Sequence, residues 1–255
     1  MITYLILLAA AVLGGATNAL AGGGTFLTFP ALLFAGIAPV QANATASLVL
    51  LPGAFASVWV YRDTIRKIES SFLLWMSVAS LAGSVIGSIL LLNTSNSTFS
   101  DLVPWLLLIA TVVFTAAPWL RKFAMKRQGH GNPSLTWLLA GLVIISVYGG
   151  YFGAGMGVLM IALYLVATNL DVHSASGIRM LCSCAINTLA VVIFAWKGAL
   201  VYRVGVPMLI AGVIGGYLGA IAVKRLDPKH ARIAILTYAW ALTGWFFLKP
   251  LFMGH

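Results

Sequence analysis

Acidic residues are nearly missing: Asp and Glu together number 5 in 255 residues, and all charged types make up only 8%. Water-soluble domains carry about a quarter charged residues, so a soluble surface is excluded. Cysteine is as scarce. Cys182 and Cys184 are the only two, both inside an apolar stretch, which argues against a disulfide framework. Two apart on a helix, they face different ways and cannot clamp one metal together, so buried structural thiols are expected. No nucleotide-binding loop, catalytic triad, heme ligand pair or metal cluster is visible. An ATP-driven pump is therefore not encoded, and neither cofactor nor metal is expected. A membrane-embedded enzyme or assembly factor would need clustered nucleophiles, metal ligands or carboxylates. None stand together, and the chain is read as a non-enzyme.

What is present is apolar residue in bulk, 61% of the chain. Runs such as Phe72–Leu92, Leu102–Leu120 and Val201–Val223 reach the roughly 20 helical residues needed to cross the hydrocarbon. Irregular backbone cannot face lipid, and the runs are too continuous for alternating barrel strands. The fold class is an all-α membrane protein. Met1–Ala21 lacks the charged start of a secretory signal peptide and reads as the first membrane segment. The net charge of +10 lies in loops, with no basic stripe interleaved with aromatics, so it points to membrane orientation rather than nucleic acid. Trp59, Trp75, Trp105, Trp119 and Trp137 fall near segment ends, as interfacial anchors do.

Apolar segments read as 2–21, 25–36, 40–61, 70–92, 102–120, 135–152, 156–168, 174–196, 201–223 and 231–252. Thr25–Gly36 and Met156–Thr168 are too short to span at 1.5 Å per residue. Each follows a glycine cluster, Gly22-Gly23-Gly24 in one case and Gly153-Ala-Gly155-Met-Gly157 in the other. An offset of 133 residues carries Gly22 onto Gly155, Gly24 onto Gly157 and Ala42 onto Ala175. The order of long and short segments repeats with it. Three units follow: an N-terminal transmembrane repeat over 1–120, a basic linker over 121–133 and a C-terminal repeat over 134–255.

Loop lysines and arginines set orientation. Arg62, Arg66 and Lys67, then Arg121, Lys122, Lys126 and Arg127, then Lys224, Arg225, Lys229 and Arg232 hold 11 of the 15 basic residues. These loops are expected in the cytoplasm. The loop Asn93–Asp101 has no basic residue and is expected outside, with both termini. An odd number of crossings per half makes the repeats inverted, with short or re-entrant half-helices meeting near the midplane, a common plan for secondary transporters.

Candidate ligand groups lie at the breaks. Glycine lets backbone approach a ligand closely, and the helix that follows presents free N–H groups and partial positive charge to an anion. This singles out Gly22, Gly23, Gly24 and Thr25 in the first half, and Gly155 and Gly157 in the second. Close helix packing is the competing reason for these glycines. Arg179 lies inside a long apolar segment, where an arginine is costly and points to function. Its guanidinium fork matches oxyanions; the competing role is an ion pair with Asp171. Asn43 and Thr45 stand at the start of a long helix, and Asn43 corresponds to Ser176 by the offset. Asn18 and Asn187 are weaker candidates. Asp171 and His173 are the groups near this region suited to proton coupling.

These motifs carry a resemblance that covers essentially the whole chain. Gly22-Gly-Gly-Thr25, Pro30, Pro39, Ala42-Asn-Ala-Thr45, Pro52-Gly53 and Tyr61-Arg62 in the first half are similar to the sulfite exporter TauE/SafE family. So are Gly149-Gly-Tyr-Phe-Gly153-Ala-Gly-Met-Gly157, Gly177-Ile-Arg179 and Asn187 in the second. The resemblance implies export of sulfur oxyanions or organosulfonates, such as sulfite or sulfoacetate, through two inverted halves meeting at a central site. Two positions depart from the pattern: Met156 interrupts the second glycine triplet, and Ile178 stands where the first half has Thr45. The expected function is a secondary transporter exporting such an anion across a bacterial-type inner membrane. An anion channel, or a carrier for another small carboxylate or oxyanion, is the alternative. Expected partners are the lipid bilayer and the small anionic substrate, with a homodimer left open.

Overall fold

The computed structural model describes residues 2–21, 23–127, 135–223 and 228–253, and every regular element among them is helical. Gly22, linker residues 128–133, Lys224 and Arg225 lie outside the described residues. The helices are α1 (Ile2–Ala21), α2 (Thr25–Phe34), α3 (Pro39–Val60), α4 (Arg62–Ile65), α5 (Ser70–Asn93) and α6 (Asn96–Arg127). After the linker come α7 (Leu135–Tyr151), α8 (Met156–Ala167), α9 (Val172–Trp196), α10 (Tyr202–Val223) and α11 (Pro228–Met253). Among the described residues, α3, α5, α6 and α9 are long and apolar enough to cross a bilayer.

Most segment boundaries follow the apolar runs. Pro39 opens α3 at its first helical position, where its missing N–H costs nothing. The Asp171 carboxylate caps α9 by accepting the N–H groups of His173 at 2.8 Å and Ser174 at 3.1 Å. Two elements depart from the sequence reading. The charged loop after Tyr61 contains a further turn, α4. Helix α6 is 32 residues long, about 48 Å at 1.5 Å per residue. Starting at Asn96, it takes up most of the expected Asn93–Asp101 loop and runs on into the basic linker. Pro104 and Pro118 inside it do not end it, and its far end carries exposed Arg121, Lys122 and Lys126.

Lipid tails are as apolar as leucine, so membrane helices associate through close packing and hydrogen bonds. Glycine provides that closeness twice. Helix α5 lies on α7 so tightly that a Cβ on Gly83 would stand 2.6 Å from the Val143 carbonyl oxygen, and one on Gly150 2.6 Å from that of Ser84. Helix α1 lies on α10 in the same manner, Gly15 against Gly212 and Gly216, and Gly215 against Val12. Helix α6 pairs with α11 in antiparallel fashion. Trp105 meets Phe247 with ring centroids 5.1 Å apart, the Thr111 and Thr243 hydroxyls stand 3.1 Å apart, and Trp240 Nε1 donates to Thr115 Oγ1 at 3.1 Å. Helix α3 packs on both α9 and α10, and α9 also on α5.

Each short helix sits inside its own apolar cluster. Helix α2 buries Phe26, Phe29 and Leu32, with Phe99 and Phe152 edge-on to Phe29 at 6.2 and 5.6 Å. Helix α8 buries Met156, Met160, Tyr164 and Leu165 against Leu142, Ile178 and Cys182. Both cysteines are free and buried. The outer surface is apolar and aromatic, with Trp59, Trp119, Trp137 and Trp196 exposed.

Candidate functional site

The two glycine breaks are held together by one helix. A Cβ on Gly155 would contact Ala110 of α6 at 3.4 Å, and one on Gly23 would contact the Phe114 ring at 3.7 Å. Ala110 and Phe114 are one helical turn apart, so the starts of α2 and α8 meet the same stretch of α6.

The glycines serve different purposes in the two breaks. Gly153 and Gly155 have φ of +81° and +79°, the left-handed region that favours glycine. The turn they form is pinned by Tyr148, whose hydroxyl donates to the Ala154 carbonyl at 2.6 Å. Gly24 has φ of −60° and is needed for space, since a Cβ there would lie 2.6 Å from the Gly14 carbonyl oxygen and 2.9 Å from Asn18 Cβ. Its own carbonyl accepts the Leu27 and Thr28 N–H groups, both at 3.1 Å, and the Thr28 hydroxyl at 3.2 Å. Thr25 is half-buried at the first position of α2.

Arg179 is where charge enters. It stands two turns into α9, and its side chain crosses to the first turn of α8. A Cβ on Gly157 would lie 2.6 Å from Arg179 Nη1 and 3.3 Å from its Cδ. Gly157 is therefore the gap that admits the guanidinium. Among the described residues the ion pairs are Arg62–Asp63 and Arg66–Asp63, both 3.9 Å and exposed. Arg179 thus has no carboxylate beside it there. Asp171 does not pair with Arg179; it caps α9 and accepts the Ser174 hydroxyl at 2.6 Å. These bonds hold its carboxyl below the usual carboxylate range, so it is ionised at neutral pH. Arg179 Nη2 reaches the Met180 sulfur at 3.3 Å, a weak acceptor, and its Nε is buried without any partner. The first turn of α8 adds donors. Val158 N–H closes on the Gly155 carbonyl at 3.1 Å, whereas among the described residues Gly157 N–H donates to no carbonyl. Unpaired N–H groups at a helix start carry partial positive charge, and here they adjoin a full one.

Other candidates are tied up in the scaffold. Asn43, 2% exposed, donates through Nδ2 to the Tyr151 carbonyl at 2.9 Å, two residues before the Gly153 turn. Its Oδ1 is buried and unpaired. Thr45 is fully buried, and its hydroxyl accepts Val201 N–H at 3.1 Å, tying α3 to the start of α10. Ser176 donates to the Val172 carbonyl at 2.7 Å, and Asn187 to the Ser183 carbonyl at 2.9 Å. Asn18 lies against Gly24 and Gly53. His173 is exposed and bonded to Thr64 at 2.8 Å. A cleft of about 280 Å³ opens elsewhere, between Phe34, Pro39, Ser100 and Trp245, and contains none of these groups.

One polar group near Arg179 was not singled out from the sequence. Tyr164 is fully buried and lies within electrostatic reach of Arg179 and Cys182. The signal was available, because Tyr164 is the one hydroxyl-bearing residue in α8.

A first prediction follows from Gly157. The atom a methyl group would strike is the free end of a flexible side chain, so Gly157→Ala is expected to fold and to swing the guanidinium away. An oxyanion held between Arg179 and the first turn of α8, if that is what the site takes, is expected to bind about tenfold more weakly, the loss of one charge-assisted hydrogen bond. Titration calorimetry with sulfite on purified protein, beside a circular-dichroism melt, checks both halves of that expectation.

Residues 7–245 match the sequence model of the Sulfite exporter TauE/SafE family. A Haemophilus influenzae protein named "Probable membrane transporter protein" is 26% identical over 242 residues, covering 90% of this chain and 91% of its own. The Escherichia coli K12 "Probable membrane transporter protein YfcA" is 26% identical over 252 residues, covering 98% of this chain and 90% of its own. "Probable membrane transporter protein ORF9" of a Sinorhizobium species is 27% identical, covering 98% and 96%.

Proposed function

The chain belongs to the sulfite exporter TauE/SafE family of membrane proteins, and on that footing we propose that it is a carrier exporting a small sulfur oxyanion or organosulfonate. The observation that carries this reading is Arg179. It is a cation inside an apolar segment, with no carboxylate beside it among the described residues, an unpaired buried Nε, and a place against the first turn of α8. A half-buried charge held inside an apolar segment without compensation is costly, and an oxyanion supplies that compensation while accepting the nearby N–H groups. Gly155, Gly157 and Arg179 form the charged side of the site. Gly23, Gly24 and Thr25 bring up the other half, while Asn43, Thr45 and Ser176 are engaged in holding the helices around it.

Two inverted repeats are part of the proposal, and helix pairing supports them. The 133-residue offset sets α1 beside α7, α2 beside α8, α3 beside α9, α5 beside α10 and α6 beside α11. Exchanging the halves turns the α1–α10 contact into α7–α5 and the α3–α10 contact into α9–α5; it returns α3–α9 and α6–α11 to themselves. All of these contacts are present. With the basic loops in the cytoplasm, the α6–α11 pairing puts the end of α11 on the same side as Asn93, outside. Loading from the cytoplasm would then be followed by release on the far face.

An interior-negative potential favours anion export by about 2.3 kcal/mol per charge per 100 mV, enough for more than a tenfold gradient without a coupled ion. The test is efflux of labelled sulfite from proteoliposomes under an imposed potassium diffusion potential. Efflux that saturates and accelerates with interior-negative potential is the expected result. Flux that never saturates would make the protein a channel, and flux indifferent to potential would require a coupled ion such as a proton passed through His173.

A further inference from the structure

Fixed charge at the candidate site comes from a single side chain. Helices α1, α2, α3, α5, α7, α8 and α9 together contain one Asp, Glu, Lys or Arg, and it is Arg179. Helices α4 and α6 also pack against α8 or α9. Their charges are Arg62 and Asp63, paired with each other on α4, and Asp101, Arg121, Lys122, Lys126 and Arg127 toward the two ends of α6. Asp171 and His173 are exposed at the start of α9. The other titratable groups on these elements are the thiols of Cys182 and Cys184 and the phenols of Tyr148, Tyr151 and Tyr164.

The glycine breaks add few donors to that one cation. In the first turn of α2, the N–H groups of Phe26, Leu27 and Thr28 close on the carbonyls of Gly23 and Gly24. At the start of α8, Met156 N–H closes on Gly153 and Val158 N–H on Gly155, which leaves Gly157 N–H for a ligand. The seam between α8 and α9 then continues without charge. Ser183 lies one turn past Arg179, half-buried, with its hydroxyl 3.6 Å from the Met160 sulfur. Gly157 and Met160 are themselves about one turn apart on α8, so Arg179 and Ser183 meet the same face of that helix.

We propose that the site selects singly charged anions, taking hydrogensulfite or an organosulfonate and rejecting the sulfite dianion and sulfate. The proposal rests on reading Arg179 as the anion site and adds a charge state to it. One guanidinium and one anionic charge cancel, so a monoanion is held as a neutral pair in apolar surroundings. A dianion leaves one negative charge over. An uncompensated charge inside a spanning helix costs roughly a factor of a hundred in equilibrium constant. The start of α8 contributes only a fraction of a charge and does not close that gap. Sulfite exchanges its second proton close to neutrality, so its affinity, counted on total sulfite, falls as pH rises through that point. Ethanesulfonate is a monoanion throughout and has no such dependence.

The test is calorimetric binding of sulfite, ethanesulfonate and sulfate to the full chain in nanodiscs, at about pH 6 and about pH 8.5. Sulfite is expected to bind about tenfold more weakly at the higher pH, in step with its protonated fraction. Ethanesulfonate is expected to bind equally at both, which removes His173 and the protein's other titratable groups as the cause. Sulfate is expected to bind about a hundredfold more weakly than ethanesulfonate. Ser183→Lys sets a second cation one turn from the first and is expected to bring sulfate within about tenfold of ethanesulfonate. Wild-type protein that binds sulfate as tightly as ethanesulfonate would overturn the proposal, whether or not Ser183→Lys folds. If Arg179→Gln then abolished that sulfate binding, the anion site would stand and its charge selection alone would have failed. Binding of none of the three anions would overturn the Arg179 site and the selection together.

Discussion

Arg179→Gln is expected to weaken sulfite binding about a hundredfold while the protein remains folded. Two charge-assisted hydrogen bonds from one guanidinium contribute about 1.5 to 3 kcal/mol each, and about 1.4 kcal/mol is a factor of ten. Glutamine keeps a polar head of similar reach but loses the charge and the fork. Stability is expected to hold or rise, because the substitution removes an uncompensated cation whose Nε has no partner in the structure. That sign separates the proposal from a structural role, since an arginine holding the bundle together would leave a less stable protein when removed. Arg179→Lys is expected to fall between the two, keeping charge but not bidentate geometry. Calorimetric titration with sulfite, paired with thermal melts of the three proteins, reads both quantities.

Gly215→Leu is expected to prevent folding. A Cβ at Gly215 would lie 2.6 Å from the Val12 Cα, and that neighbour is backbone, which cannot swing aside. Helices α1 and α10 would have to separate, and the Gly15 contacts with Gly212 and Gly216 would open with them. Overpacking one site costs about 1 to 3 kcal/mol or more, and here the whole crossing is disturbed. Gly244 in α11 has nothing within 4 Å of its would-be Cβ, so Gly244→Leu serves as the control and is expected to fold. Monodispersity on size-exclusion chromatography distinguishes them, and equal elution profiles would show that the α1–α10 crossing is not held as described.

The helices were legible because the bilayer dictates length and polarity together, so apolar runs bounded by charge or glycine mark the elements directly. What escaped was set by contacts far apart in the chain. Nothing around Asn43 or Thr45 announces partners at Tyr151 and Val201, 108 and 156 residues away. The glycine clusters stood out by spacing, yet spacing could not say that Gly155 answers a backbone angle and Gly24 a close approach. Asp171 offered itself as a counter-ion to Arg179 because both are charged and near in sequence. At the start of a helix, however, its carboxylate finds N–H groups sooner than a guanidinium two turns on. Helix α4 was hidden by its shortness and charge, and α6 ran past its apolar limits because nothing between Asn96 and Arg127 forces an end.

The central claim is that anion movement depends on the guanidinium lying against the first turn of α8. Counterflow of labelled sulfite in proteoliposomes, comparing wild type with Arg179→Gln after both elute as monodisperse protein, tests it most directly. The account predicts saturable counterflow in the wild type and at least about a tenfold loss in the variant, scaled from the charge-assisted bonds removed. Equal counterflow in the two proteins would contradict it and move the site away from Arg179.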